Sequence, residues 1–166
     1  MNEDKYSELL LLTAFSCMAC DGHIDNREVE LIVALENEEN LFKIENIEES
    51  VNNLIQQINN DGKKFLKNYF GQLKESNLSQ EEELQLLKTA VRTIRADDVI
   101  EYSEIRFFKI IRSKLKISNK RILDAIPDIE EYLEQDVIRK DYLEILKHTY
   151  FEEQTLPEFN FIDFKK

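Results

Sequence analysis

The chain has 166 residues, a formal net charge of −12, and only 3 Gly and 2 Pro. This length fits one domain with a substantial core, and so few helix breakers among many Leu, Ile, Glu and Lys residues favour an all-helical fold. The acidic charge repels phosphate backbones, so it argues against nucleic acid as a partner. No apolar run is long enough for a transmembrane segment, and the run LLLLTAF is short and lacks a basic region before it, so it is not a convincing signal peptide. The sequence therefore predicts a cytoplasmic all-α protein, with residues 1–166 in a single domain.

The first predicted helix runs from about Asp4 to Cys20. Its apolar residues cover most of its circumference, which is typical of a central helix packed on several sides. The segment DGHID then forms a turn, in which Gly22 is expected to adopt a positive φ angle. Asp25 caps a second helix that begins at the next residue, and Glu28 completes a capping box three residues after the cap. Together these residues predict a helix–turn–helix unit.

The following segments repeat this pattern of capped helices with one apolar face. Further helices are predicted over residues 47–59, 63–75, 80–96 and 102–115, in a segment from 119, and over most of 129–151. The caps expected for them are Asn46, Ser79 with Glu82, and Ser118 or Asn119. The sequence thus predicts a bundle of about seven or eight helices.

The chain ends in an aromatic tail, LPEFNFIDFKK, which follows the C-terminal helices within residues 119–166. Four large apolar side chains lie close together in it: Phe159, Phe161, Ile162 and Phe164. Their exposure to water would be unfavourable, so we expect the tail to dock on the bundle in an extended form. Docking on a second copy is the other option, which makes the tail a candidate contact of a homo-oligomer.

An internal repeat relates two acidic turns. Shifting the chain by about 76 residues aligns a unit at residues 6–36 with a unit at residues 80–116. The acidic positions of the turns align as Asp21 with Asp97, Asp25 with Glu101, and Glu28 with Glu104. Any two amphipathic helices share apolar positions, but acidic residues in register through a turn are harder to obtain by chance. The sequence therefore predicts two helix–turn–helix units related by pseudo-twofold symmetry.

The motifs ACDGHIDNREVELI, residues 19–32, and RADDVIEYSEIRFF, residues 95–108, resemble the duplicated turns of the TerB-like domain. This family is named for bacterial tellurite resistance, and the N-terminal domain of the DjlA co-chaperone is similar. The resemblance covers roughly residues 6–126. It implies an all-helical, pseudosymmetric domain of stress-response systems with no established enzymatic activity, and cation binding by the six aligned acids. The chain departs from the family at Asp98, where Gly is expected, and at Glu101, where Asp is expected, so the first turn is the better candidate.

The turn acids have two competing roles. Carboxylates are the hard oxygen ligands that Ca²⁺ and Mg²⁺ prefer, which makes a divalent cation the one candidate cofactor. However, the spacing of Asp21, Asp25 and Glu28 lacks the alternating ligands and the distant bidentate Glu of an EF-hand loop. Asp25 and Glu28 are also needed as a capping box at the positive end of a helix. The acids therefore either bind a cation as well or only cap helices.

A pair of cysteines, Cys17 and Cys20, lies on the first predicted helix, with His23 three residues further on. A zinc site would need a fourth ligand, and His148 is the only other histidine. A redox pair normally follows a strand, which the sequence does not predict here. We therefore expect both cysteines to be small buried residues that let helices approach closely.

No nucleophile–base pair, phosphate-binding loop or other catalytic signature appears, so no catalytic residue is assigned. The leading expectation is a non-enzymatic TerB-like module that acts in stress response through a protein partner, with a divalent cation at the turns. The alternative is an interaction scaffold or co-chaperone-type accessory domain without metal, in which an apolar groove receives a partner segment.

Overall fold

The structure, a computed structural model, describes residues 2–96, 100, 102–134 and 158–164. All regular secondary structure in these residues is helical, which confirms the predicted all-α fold. The eight helices are α1 (Glu3–Met18), α2 (Asn26–Glu39), α3 (Ile47–Asn60), α4 (Gly62–Glu75), α5 (Gln80–Ile94), α6 (Tyr102–Ser113), α7 (Asn119–Ala125) and α8 (Glu130–Leu133). No helix in these ranges combines the length and the hydropathy that crossing a membrane requires. Most of the helix predicted over 129–151 lies outside the described residues.

Helix α1 occupies the centre of the bundle, as its sequence predicts, and it packs against α2, α3, α4, α5 and α6. Ala14 and Phe15 have no exposed surface. The ring of Phe15 meets that of Phe65 on α4 edge to face, with 5.7 Å between the centroids. Because α1 has little polar surface beyond its first two turns, other helices must cover it on every side.

Side-chain caps determine where most of the helices begin. The predicted caps are confirmed at four helices: Asp25 with Glu28 at α2, Asn46 at α3, Ser79 with Glu82 at α5, and Ser118 at α7. Two further caps were not predicted. Asn2 caps α1, and Asp61 is the single residue between α3 and α4. The side chain of Asp61 accepts the backbone N–H of Lys64, so α4 begins at Gly62, one residue earlier than predicted.

Three helices end earlier than the sequence predicts. Helix α1 ends at Met18 rather than Cys20, α5 at Ile94 rather than Ala96, and α6 at Ser113 rather than Leu115. Each is followed by N–H groups that bond to the carbonyl three residues back: Cys20 to Cys17 at 3.4 Å, Ala96 to Thr93 at 3.1 Å, and Leu115 to Arg112 at 3.2 Å. A last turn tightened in this way satisfies terminal carbonyls that have no partner in the helix.

Two buried glutamates hold loops against the bundle. Glu36 of α2 is 7% exposed and accepts the backbone N–H groups of Phe42 at 2.7 Å and Ile44 at 2.6 Å. Glu83 of α5 is 4% exposed and accepts the backbone N–H of Ile117 at 2.6 Å. A buried carboxylate is tolerated only when hydrogen bonds replace its lost hydration. These two side chains therefore fix the loops that follow α2 and α6.

The two predicted repeat units contain α1 with α2 and α5 with α6. Helices α1 and α5 pack together, and the Tyr6 hydroxyl donates a hydrogen bond of 2.9 Å to the carbonyl of Glu82. These residues are 76 positions apart, which is the offset of the sequence repeat. The pseudo-twofold relation between the units and the single-domain boundary at 1–166 stay predictions.

Candidate functional site

The first acidic turn, residues 19–25, connects α1 to α2. Gly22 has a φ angle of 86°, as its position in the turn predicts, and its N–H donates to the carbonyl of Ala19 at 3.2 Å. The Oδ1 atom of Asp21 accepts the N–H of His23 at 2.8 Å, and both of these side chains are exposed. The Asp21 side chain therefore stabilises the turn by accepting a backbone N–H within it, while the side chain also faces solvent.

Asp25 and Glu28 join this turn to α2. The Oδ1 atom of Asp25 accepts the backbone N–H of Arg27 at 2.8 Å and its Nε at 3.2 Å. The backbone hydrogen bond, more than the guanidinium, lowers the pKa of Asp25. Glu28 is 5% exposed, and its Oε2 accepts the N–H of Asp25 at 2.9 Å. The capping role that the sequence predicts for both acids is confirmed.

The third acids of the two turns lie near the same part of α1. Glu104, the counterpart of Glu28 in the repeat, lies in the first turn of α6 and is also 5% exposed. Burial is the main reason for the raised pKa of Cys17 and Cys20, and the charges of Glu28 and Glu104 add to it at both thiols. Glu28 and Glu104 therefore both lie near the C-terminal end of α1, where Cys17 is located, and near Cys20, which follows the helix.

Four of the six predicted cation ligands are described, namely Asp21, Asp25, Glu28 and Glu104, whereas Asp97 and Glu101 lie outside the described residues, as does Asp98. Among the side chains that the structure describes, no group of three or more His, Cys, Asp or Glu is arranged to hold a metal ion. Cation binding at the two turns stays a prediction.

The two cysteines are free and buried. Their exposed fractions are 1% for Cys17 and 0% for Cys20. Because burial raises the pKa of both thiols, the thiolate that would bind a metal or act as a nucleophile is disfavoured. His23 lies on the exposed side of the turn, and His148 lies outside the described residues. Burial of both cysteines in the bundle is what the sequence predicts.

Helix α3 carries two asparagines that bind the C-terminal tail, here residues 158–164. The Nδ2 of Asn59 donates to the carbonyl of Phe159 at 2.7 Å, and its Oδ1 accepts the N–H of Phe159 at 2.7 Å. Asn52 forms the same pair of bonds with Ile162, at 3.1 Å and 2.9 Å. Each side-chain amide therefore satisfies both backbone groups of one tail residue, as a residue of a neighbouring β-strand would.

The spacing of the two asparagines matches an extended segment. Asn52 and Asn59 are seven residues apart, so they share a face of α3 and lie about 10.5 Å apart along its axis. Phe159 and Ile162 are three residues apart, which is about 10 Å in an extended chain. The tail runs antiparallel to α3, since Asn59 binds the earlier of the two tail residues. The predicted docking of the tail in an extended form is confirmed.

The tail lies between α3 and the first acidic turn, in a site that we call the tail groove. On the side away from α3, the tail borders a cavity lined by Gly22, His23, Ile24, Asn26, Val29 and Glu30. Phe159 is buried at 7% exposure and belongs to the main core, against which Ile162 and Phe164 also pack. Phe161 points away and is 63% exposed. The groove therefore binds the tail through backbone hydrogen bonds and through packing of the Phe159, Ile162 and Phe164 side chains.

Asn52 and Asn59 were not expected from the sequence to have a role, because asparagine on a helix usually lies on a solvated face. The available signal was their spacing, seven residues apart and beside the apolar stripe that contains Val51, Ile55 and Ile58. The second signal was a tail too apolar to stay in water.

Comparison with known proteins adds no relative: no family model, no curated protein and no solved structure matches the chain. The resemblance to the TerB-like family therefore rests on the residues of the two turns.

Proposed function

We propose that the chain is a non-enzymatic helical module that acts through protein contacts, of the TerB-like kind that belongs to bacterial stress response in the cytoplasm. The two turn motifs, residues 19–32 and 95–108, support the TerB-like part of this proposal. The observation that carries the protein-contact function is the tail groove, in which an extended segment is bound to the surface of a helical bundle.

The chemistry of the groove suits a protein ligand. Asn52 and Asn59 make all four of their hydrogen bonds to backbone atoms, which any extended segment offers. In such recognition, backbone hydrogen bonds contribute affinity and apolar pockets contribute specificity. The groove provides the second element as well, because it buries Phe159. A surface that binds residues 158–164 in this way can bind a comparable segment of another protein.

A binding measurement on the full chain tests this function. The substitution Phe159→Ser weakens docking of the chain's own tail, and the probe is a fluorescent peptide with the sequence of residues 156–166. We expect saturable binding of this peptide, monitored by fluorescence anisotropy. Adding Asn59→Ala removes two hydrogen bonds, about 1 to 3 kcal/mol, and should weaken binding about tenfold. Asn53→Ala, an exposed position on the same helix, is the matched control. Absence of saturable binding to the folded Phe159→Ser variant would contradict the proposal.

A second candidate function is binding of a divalent cation at the acidic turns, which the resemblance of the two turn motifs to the TerB-like domain supports. In the first turn, Glu28 would supply one carboxylate ligand. Asp21 and Asp25 would supply further oxygen ligands from the exposed side of the turn.

Titration of the full chain with Ca²⁺ or Mg²⁺ tests this second function. A cation at 100 times its dissociation constant should raise the free energy of unfolding by about 2.7 kcal/mol. The double substitution Asp21→Ala and Asp25→Ala should abolish that increase. An unchanged melting temperature of the unsubstituted chain at millimolar cation would rule out the cation role.

A further inference from the structure

We infer that the chain's own tail competes with a partner protein for the tail groove. The partner that displaces the tail presents an extended segment in which an aromatic residue is followed three positions later by an aliphatic one. This inference rests on the proposed protein-contact function. It adds the pattern that the partner must carry and the way in which its access is controlled.

The pattern follows from which tail residues the groove holds. Phe159 and Ile162 are the two residues whose backbone groups are bound by the asparagines, and their side chains pack against the core. The residues between them, Asn160 and Phe161, are exposed. A segment is therefore selected at its first and fourth positions, and the two positions between them are free to vary.

The control of partner access to the groove follows from the covalent attachment of the tail to the rest of the chain. A tethered segment has an effective concentration in the millimolar range, far above that of a partner in solution. The observed affinity for a partner is therefore the intrinsic affinity multiplied by the fraction of molecules in which the tail is undocked. The contact between the tail and the groove is nevertheless limited in extent, since Phe159 is the one buried side chain among residues 158–164. We therefore expect the docked tail to exchange with a partner segment.

The covalent tether of the tail also favours a foreign segment over a second copy of this chain as the competing ligand. The tail of a second copy fits the groove as well as the resident tail does, but it offers no better contacts. At micromolar protein it cannot displace a tail held at millimolar effective concentration. A partner segment with additional contacts outside the groove can do so.

The test compares the full-length chain with its Phe159→Ser variant, using the fluorescent peptide of residues 156–166 as the probe. We expect the unsubstituted chain to bind the peptide at least about tenfold more weakly than the variant. Ile162→Ser serves as a second variant that releases the tail, should the first one fold poorly. Phe161→Ser, at the exposed position, should behave like the unsubstituted chain. In the peptide itself, alanine in place of Phe159 or Ile162 should weaken binding, whereas alanine in place of Phe161 should not.

Each contrary outcome identifies what is wrong. Equal and saturable binding to both proteins would overturn the competition and leave the proposed function intact. No binding to either protein would overturn both. A dimer at micromolar concentration that Phe159→Ser converts to a monomer would show that the occupant is the tail of a second copy, which overturns the inference.

Discussion

Asn59 of α3 and Phe159 of the tail are joined by two hydrogen bonds of 2.7 Å, although 100 positions separate them in the sequence. The side-chain amide donates to the carbonyl and accepts from the N–H of the same residue. A surface helix thus provides the bonding pattern of a β-strand edge, which is why the segment beside it is extended. The groove that results is the basis of the proposed protein-contact function.

Substituting Asn59 should release the tail without unfolding the bundle. In Asn59→Ala, the two backbone groups of Phe159 lose their partners, and the buried Phe159 ring becomes exposed to water. We expect more binding of a hydrophobic dye, with an unchanged far-ultraviolet circular dichroism spectrum. Asn53→Ala on the exposed side of α3 should leave dye binding unaltered. Equal dye binding by both variants would contradict the role of Asn59.

Removing the Glu83 carboxylate should destabilise the whole bundle. Glu83 is 4% exposed and accepts the N–H groups of Lys116 at 3.0 Å and Ile117 at 2.6 Å. Glu83→Ala leaves these groups without their acceptor, which should lower the free energy of unfolding by about 2 to 3 kcal/mol. Glu81 lies on α5, as Glu83 does, and forms an exposed ion pair with Arg121 of α7, so Glu81→Ala should cost less than about 1 kcal/mol. Urea unfolding of both variants measures the difference, and similar losses would refute this role of Glu83.

The buried cysteines should make stability fall at alkaline pH. Burial raises the pKa of Cys17 and Cys20 above the ordinary thiol value of about 8.5. The unfolded chain therefore releases protons above this pH that the folded protein retains, so the contribution to stability is complete below pH about 8.5 and decreases as pH rises.

Urea unfolding between pH 8 and pH 10 should show this decrease. The double variant Cys17→Ala and Cys20→Ala should lose less stability over the same interval, because it lacks the two groups that titrate on unfolding. An identical slope in both proteins would contradict the assignment.

Changing Asp25 to Asn separates helix capping from cation binding. Asn caps a helix as well as Asp does, so Asp25→Asn should retain stability in the absence of cation, whereas Asp25→Ala should lose about 1 kcal/mol. If the turn binds Ca²⁺ or Mg²⁺, Asp25→Asn should also lose the stabilisation that the cation provides, because it removes a carboxylate. Thermal unfolding with and without cation measures both effects. If Asp25→Asn proved as unstable as Asp25→Ala without cation, the charge rather than the cap would be the stabilising feature.

The parts of the fold that depend on neighbouring residues were predictable from the sequence. Capping pairs such as Asp25 with Glu28 identify helix starts within a few residues, because the hydrogen bonds that they make are local. The positive φ angle of Gly22 follows from the same kind of local requirement. Helix ends were less predictable, since the tightened last turns depend on how the chain leaves the bundle.

Contacts between distant parts of the chain were not predictable in detail. Nothing in the residues around Glu36 indicates that its side chain accepts the N–H groups of Phe42 and Ile44. The hydrogen-bond partner of Asn59 lies 100 positions away in the sequence. The spacing of residues along α3 therefore indicates which face Asn59 occupies but not which residue it binds. In the second turn the sequence predicts Asp97 and Glu101 as counterparts of the first-turn acids, and that equivalence stays a prediction.

Amide hydrogen exchange of the tail, followed by NMR on the full chain, tests the groove most directly. The N–H groups of Phe159 and Ile162 are bound by asparagine oxygens at 2.7 Å and 2.9 Å, whereas the Phe161 side chain is 63% exposed. We predict that the Phe159 and Ile162 amides exchange at least about tenfold more slowly than that of Phe161, and that Asn59→Ala removes the protection of Phe159. Equal exchange rates at all three positions in the unsubstituted chain would contradict the docked tail and the function built on it.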